Sequence, residues 1–92
     1  MRRKPPHPSE LRRPAGKPAD GRAILAANLR RLRLQRGWSQ EALAARAGIH
    51  RTYLSSVEMG QRNIAIDNIC RLAWALGVEG ADLLAKGRSR TF

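Results

Sequence analysis

Apolar residues recur along this chain at the spacing of helices, and nowhere do they alternate in the manner of a strand. Leu25, Leu29 and Leu32 follow one another at intervals of four and three, which draws one stripe on a helix from about Gly21 to Arg36. Arg30, Arg31 and Leu34 point away from that stripe, and Arg33 falls on its edge. Gly37 suits the left-handed residue just past a helix end. Trp38 reads as a core plug, and Ser39 as the cap of a second helix that runs to about Ala47 with Glu41 in its first turn. Leu43, Ala44 and Ala47 face inward there, and Ala44 is small enough for two helices to cross closely. Gly48 breaks the pattern, and Ile49 looks like a core residue in the turn. A third helix runs from about His50 to Met59 with Leu54 and Val57 inward, and Gly60 ends it. A fourth spans about Ile66 to Leu76, with Ile66, Ile69, Leu72, Ala73 and Leu76 on the helical period. Gly77 closes it, Val78 plugs the loop, and Asp82, Leu83 and Leu84 make a short fifth helix. The expected fold is all-α: a compact five-helix domain over residues 21–86.

The flanks read differently. Residues 1–20 hold all five prolines, six basic residues and, after Met1, a single large aliphatic, Leu11. Such a segment cannot bury enough apolar area to offset its ordering entropy, so a disordered basic tail is expected. It is either a solvated extension or an arm that lies along DNA. Residues 87–92 read as a frayed end.

Charge narrows the function. The chain has 92 residues, with 18 basic against 7 acidic side chains and a formal charge of +11. From residue 21 onward, 12 basic residues still face 5 acidic ones, so the folded part is itself basic. Polyanions are the natural partners of such a chain. Arginine greatly outnumbers lysine, which favours nucleic acid because a guanidinium forks onto phosphates and guanine edges; codon usage in a GC-rich genome would give the same bias. The one cysteine, Cys70, permits neither an intrachain disulfide nor a cysteine-built zinc site, and it reads as a buried or half-buried small apolar residue. No metal-ligand spacing, cofactor loop or small-molecule site is evident. No apolar run approaches the length of a membrane span. These features place the chain in a reducing cytoplasm.

The third helix carries the sharpest signal. With Leu54 set inward on a wheel, Val57 and Glu58 lie within about 60° of it. Thr52, Ser55 and Ser56 fall on the opposite half, with Arg51 and Tyr53 on the flanks of the first turn. This is either an ordinary polar surface helix or a reading head for a major groove. Hydroxyls and one forked cation are the groups that read base edges.

Leu29-Arg-Arg-Leu-Arg-Leu-Gln-Arg-Gly-Trp-Ser-Gln-Glu-Ala-Leu-Ala44, then Ala47-Gly48-Ile49, Tyr53 to Glu58, and Leu72-Ala-Trp-Ala-Leu-Gly-Val78 together resemble the Cro/CI repressor-type helix-turn-helix proteins, the XRE family with its lambda-repressor-like fold. The likeness covers roughly residues 22 to 85. Within it, His50-Arg-Thr-Tyr-Leu-Ser-Ser-Val-Glu-Met-Gly-Gln-Arg-Asn63 is similar to the controller proteins of restriction–modification systems. The resemblance implies that Arg51 and Thr52 read bases, with Ser55 or Ser56 as further groove contacts. It implies that Tyr53, Arg62 and Asn63 touch the sugar-phosphate backbone or groove edge, and that Gln40 meets a phosphate. It also implies a structural pair between Arg33 and Glu58, both of which the wheel sets on inward edges. His50 and Ala65 depart from the family's usual helix caps; His50 is either a weak cap or, when protonated, a phosphate contact.

The partner implied is double-stranded DNA, bound by a homodimer. The last two helices would form the dimer face, with Trp74, Leu83 and Leu84 as candidates. The sequence lacks a base beside its cysteine, paired carboxylates and a phosphate-cradling loop, which argues against an enzyme. A membrane-surface role would expose an apolar stripe that the other helices need. The alternative with more substance is an antitoxin-type regulator that binds a toxin protein as well as DNA. The reading that best fits all of this is a sequence-specific, autoregulatory transcriptional regulator.

Overall fold

The computed structural model describes Pro5 and residues 16–86; the expectations for the rest of the tail and for residues 87–92 lie outside that range. Residues 16–20 are exposed and carry no regular element. Five helices follow: α1 (Gly21–Gln35), α2 (Gln40–Ala47), α3 (Arg51–Glu58), α4 (Ile66–Leu76) and α5 (Gly80–Leu83). Among the described residues there is no strand. None of these helices is long and apolar enough to cross a membrane.

Local chemistry starts and stops these helices. Asp20 caps α1 by accepting the Ala23 amide, and Ser39 caps α2 by accepting that of Ala42 at 3.0 Å. Gly48 and Gly77 end α2 and α4 in the left-handed region, each at φ 72°. His50 and Ala65 stand at the caps of α3 and α4 and offer no side-chain bond. Ala65→Ser should therefore raise stability by about 1 kcal/mol. That gain lifts the melting temperature by about 4–8 °C in a domain of this size. Thermal unfolding followed by circular dichroism checks it, and an unchanged midpoint would show that the cap is already satisfied.

Leu25, Leu29, Leu43, Leu54, Val57, Leu72 and Leu83 are fully buried and form one core. Trp38, Ile49, Tyr53, Ile64 and Val78 pack against it, half-buried. Helix α2 packs on α4 and α3, α1 on α3 and α5, and α4 on α5. Buried Ala44 and Ala47 let the neighbours of α2 approach closely.

Three expectations are corrected. Ile66 is 67% exposed: it is the first residue of α4, and at that end of the helix no neighbouring element covers it. Cys70 is exposed, on the outer side of the same helix. Leu83 lies wholly within the monomer's own core, so of the expected dimer face only Trp74 and Leu84 are exposed.

Two polar side chains lock the far end of the fold. Asn28 is buried, and its amide donates to the carbonyls of Leu83 at 2.8 Å and Ala85 at 3.0 Å, which holds the end of α5 to α1. Arg36 donates to the carbonyls of Leu32 and Leu76, tying the ends of α1 and α4.

Candidate nucleic-acid interface

Helices α2 and α3 are joined by a turn built around Gly48, where the Ile49 amide reaches back to the carbonyl of Ala44 at 3.0 Å. This closes a tight corner and sets α3 across the surface. Leu54 and Val57 anchor its inner side. The amide of Gln61 returns to the Ser56 carbonyl at the other end, which turns the chain through Gly60 and presents the loop of Arg62 and Asn63 beside α3.

A second anchor fixes α3 more rigidly than apolar packing does. The Arg33 Nε donates to Glu58 Oε2 at 2.7 Å and its Nη2 to Oε1 at 2.8 Å, a bidentate pair. Its Nη1 donates to the Trp38 carbonyl at 2.9 Å. Gln40 adds a donor to Glu58 Oε1 at 3.1 Å. The two charged side chains are 8% and 2% exposed, so the pair is nearly dry. The hydrogen bonds that the guanidinium donates to Glu58 hold it above its ordinary pKa, outweighing the opposing effect of burial. Arg33, Gln40, Trp38 and Glu58 thus join the end of α1, the start of α2 and the end of α3 at one point. Gln40 has its amide turned inward to this cluster, which differs from the phosphate contact the resemblance implies.

The outer face of α3 is less uniform than the wheel suggests. Arg51 and Thr52 are exposed, and among the described residues Arg51 forms no ion pair or hydrogen bond. Ser55 and Ser56 are half-buried, and the Ser56 hydroxyl donates to the Thr52 carbonyl at 3.3 Å. Serine hydroxyls on helices bond back one turn in this way when nothing else claims them. His50 is exposed at the start of the helix, and Arg62 and Asn63 are exposed in the loop. Arg62 lies over the Tyr53 ring, 5.2 Å from its centroid, and the Tyr53 hydroxyl accepts from Asn68 Nδ2 at 3.2 Å. Arg46 covers the Trp38 ring at 4.2 Å.

The structure therefore gathers Arg51, Thr52, Tyr53, Arg62 and Asn63 along α3 and its following loop, while Trp74 and Leu84 sit on α4 and after α5. No group of acidic, histidine or cysteine side chains that could hold a metal occurs among the described residues. Asn28 and Asn68 were missed by sequence reasoning. A signal existed for Asn28, because it lies on the apolar stripe, three residues after Leu25 and four before Leu32.

Comparison with known proteins agrees with this geometry. The helix-turn-helix family model HTH_3 matches residues 29–83. A hypothetical transcription factor of Neisseria meningitidis is 49% identical over 71 residues, which is 77% of this chain and 67% of that protein. The crystal structure of a hypothetical transcription factor, NHTF, from Neisseria is 47% identical and covers 84% of this chain and 91% of that one, with a TM-score of 0.71. The control protein C.BamHI of Bacillus amyloliquefaciens is 44% identical over 64 residues, 68% of this chain and 79% of the relative. The restriction–modification controller protein C.Esp1396I, solved as a tetramer in complex with its natural 35-base-pair operator, is 27% identical with a TM-score of 0.63, covering 67% of this chain and 82% of that one.

Proposed function

The chain belongs to the helix-turn-helix family HTH_3, and on that premise we infer that it is a sequence-specific DNA-binding transcriptional regulator acting as a dimer on a two-fold operator. One observation carries the reading. A helix whose outer first turn offers an uncommitted arginine and a threonine is fixed to the rest of the fold by a dry ion pair. An exposed polar face needs no such anchoring to stay in solution, whereas a reading head needs a defined orientation before it meets the groove.

Roles follow from position. Arg51 and Thr52, in the first turn of α3, enter the major groove and read base edges. Ser55 and Ser56, further along and half-buried, contribute groove-wall contacts. Tyr53, Arg62, Asn63 and His50 meet phosphates on either side. These contacts and the +11 charge supply the sequence-independent part of the affinity. Gln40 serves the site through Glu58.

A single copy presents few base-reading groups, which favours two copies on one site. Trp74, 77% exposed, and Leu84, 46% exposed, form the apolar surface for that pairing. Ile66 and Cys70 precede Trp74 at intervals of four on the same outer side of α4 and extend it. The similarity to C.BamHI and C.Esp1396I supports a controller-like role, in which the protein acts in the cytoplasm on promoters that include its own.

Selection from a pool of random duplex DNA tests the reading. It should recover an inverted repeat whose half-sites are centred about 10–10.5 base pairs, or a multiple, apart. Recovery of sequences with no shared motif would overturn specific recognition, and recovery of isolated half-sites would overturn the dimer.

A further inference from the structure

We propose that Asn68, on α4, is a positioning residue for DNA binding, acting through Tyr53 on Arg62; this rests on the reading of Tyr53 and Arg62 as phosphate contacts. Three observations carry it. Asn68 is half-buried and donates from Nδ2 to the Tyr53 hydroxyl at 3.2 Å. The Tyr53 ring packs against the core on one side and lies under the Arg62 guanidinium on the other, at 5.2 Å. Helix α3 packs broadly on α1 and α2 and at most slightly on α4, so this hydrogen bond is a specific tie between two elements that otherwise scarcely meet.

The direction of the bond matters. Asn68 supplies the hydrogen, which occupies a lone pair of the phenol oxygen and leaves the phenol's own proton for an outside acceptor. A phosphate oxygen is such an acceptor. The same bond fixes the lean of the ring. An arginine held over an aromatic face then starts from a restricted set of rotamers, and less freedom is lost when it closes on a phosphate. Asn68 itself stands on α4, outside the helix that carries the base readers. Its contribution is to make Tyr53 a donor and Tyr53 a platform. The loop from Met59 to Ala65, which carries Arg62, has no helix of its own to orient it. The tyrosine platform provides that orientation.

The bond is partly exposed and links groups that the core does not depend on, so its loss leaves folding almost unchanged. The test compares Asn68→Ala, Tyr53→Phe, the double variant and Arg62→Ala in the full chain, by binding to mixed-sequence duplex DNA at fixed low salt and by thermal unfolding. A neutral hydrogen bond corresponds to about a five-fold change in an equilibrium constant. Asn68→Ala and Tyr53→Phe should each weaken binding by about that factor, with melting temperatures within about 2 °C of the parent. Because one bond joins them, the double variant should be no weaker than the poorer single variant. Multiplying losses would show independent action and overturn the inference. So would parental binding by Asn68→Ala alongside weakened binding by Arg62→Ala, which leaves the Arg62 reading intact. A clear fall in melting temperature for Asn68→Ala would make it a fold residue and overturn the inference too. Parental binding by Arg62→Ala would remove the reading of Arg62 and this inference together.

Discussion

Glu58→Ala should remove about 3–5 kcal/mol of folding stability, because it leaves the Arg33 guanidinium buried with its charge uncompensated. Arg33 is 8% exposed at its side chain, and Glu58 provides two of its three acceptors. Truncation leaves only the Trp38 carbonyl. It also strips the Gln40 amide of its partner. A domain of this size has a total stability of only about 3–10 kcal/mol. The variant should therefore melt at least about 12 °C lower than the parent and be partly unfolded at growth temperature. Replacing both partners, as Arg33→Met with Glu58→Leu, should cost far less, since no charge is then stranded. Urea unfolding of the three proteins separates these cases. A Glu58→Ala variant within about 1 kcal/mol of the parent would show that water reaches the pair and that its dryness is overstated.

The pH behaviour follows from the same site. Glu58 raises the pKa of Arg33 in the folded state. A raised pKa contributes stability that is present below the unfolded value and is lost only as pH rises through the folded one. For arginine that window lies above any pH at which the protein is handled, so the arginine side of the pair acts as a constant charge.

Much of this arrangement was legible in the chain. The stripe of Leu25, Leu29 and Leu32, the cap at Ser39 and the breaks at Gly48 and Gly77 are local signals, each set by a few neighbouring residues. Arg33 and Glu58 could be placed on inward edges by the wheel, although their meeting depends on how α1 and α3 cross. The long-range polar ties were not legible. Asn28 bonds to carbonyls 54–57 residues away, and Arg36 to one 40 residues away. A side chain reaching for a backbone carbonyl leaves no mark on the partner's residue type, so no sequence pattern announces it. Ile66 and Cys70 expose a different limit. A helical period gives the direction a side chain takes from its axis, and it says nothing about whether a neighbouring helix extends far enough to cover it. At Leu83 and Leu84 the period itself fails, because a four-residue helix is too short to define a face. The division of the α3 surface was partly legible: its apolar side was clear, but the inward lean of Ser55 and Ser56 came from packing.

Arg51→Ala and Arg62→Ala should separate the two kinds of DNA contact that the site combines. Both side chains are exposed arginines, so composition and charge change equally in the two variants. Their settings differ. Arg51 opens α3 and has no protein partner among the described residues, which leaves its fork available for the O6 and N7 of a guanine. Arg62 sits in the loop after the helix, over Tyr53, at the margin where the proposed reading has the DNA backbone pass. Loss of Arg51 should lower discrimination at one base position of the recovered operator by about 1–3 kcal/mol, while binding to mixed-sequence DNA falls far less. Loss of Arg62 should weaken all sequences by a similar factor and reduce the slope of log affinity against log salt by about one. Titrations of both variants on the operator, on its single-base variants and on mixed DNA over a range of salt measure both effects. Equal losses on operator and mixed DNA for Arg51→Ala would assign it to the backbone. A base-selective loss for Arg62→Ala would move the reading surface beyond α3 into the loop. The contrast is sharp because the dry pair at Arg33 and Glu58 is untouched in both variants, so α3 keeps its orientation and only the contacts at its surface change.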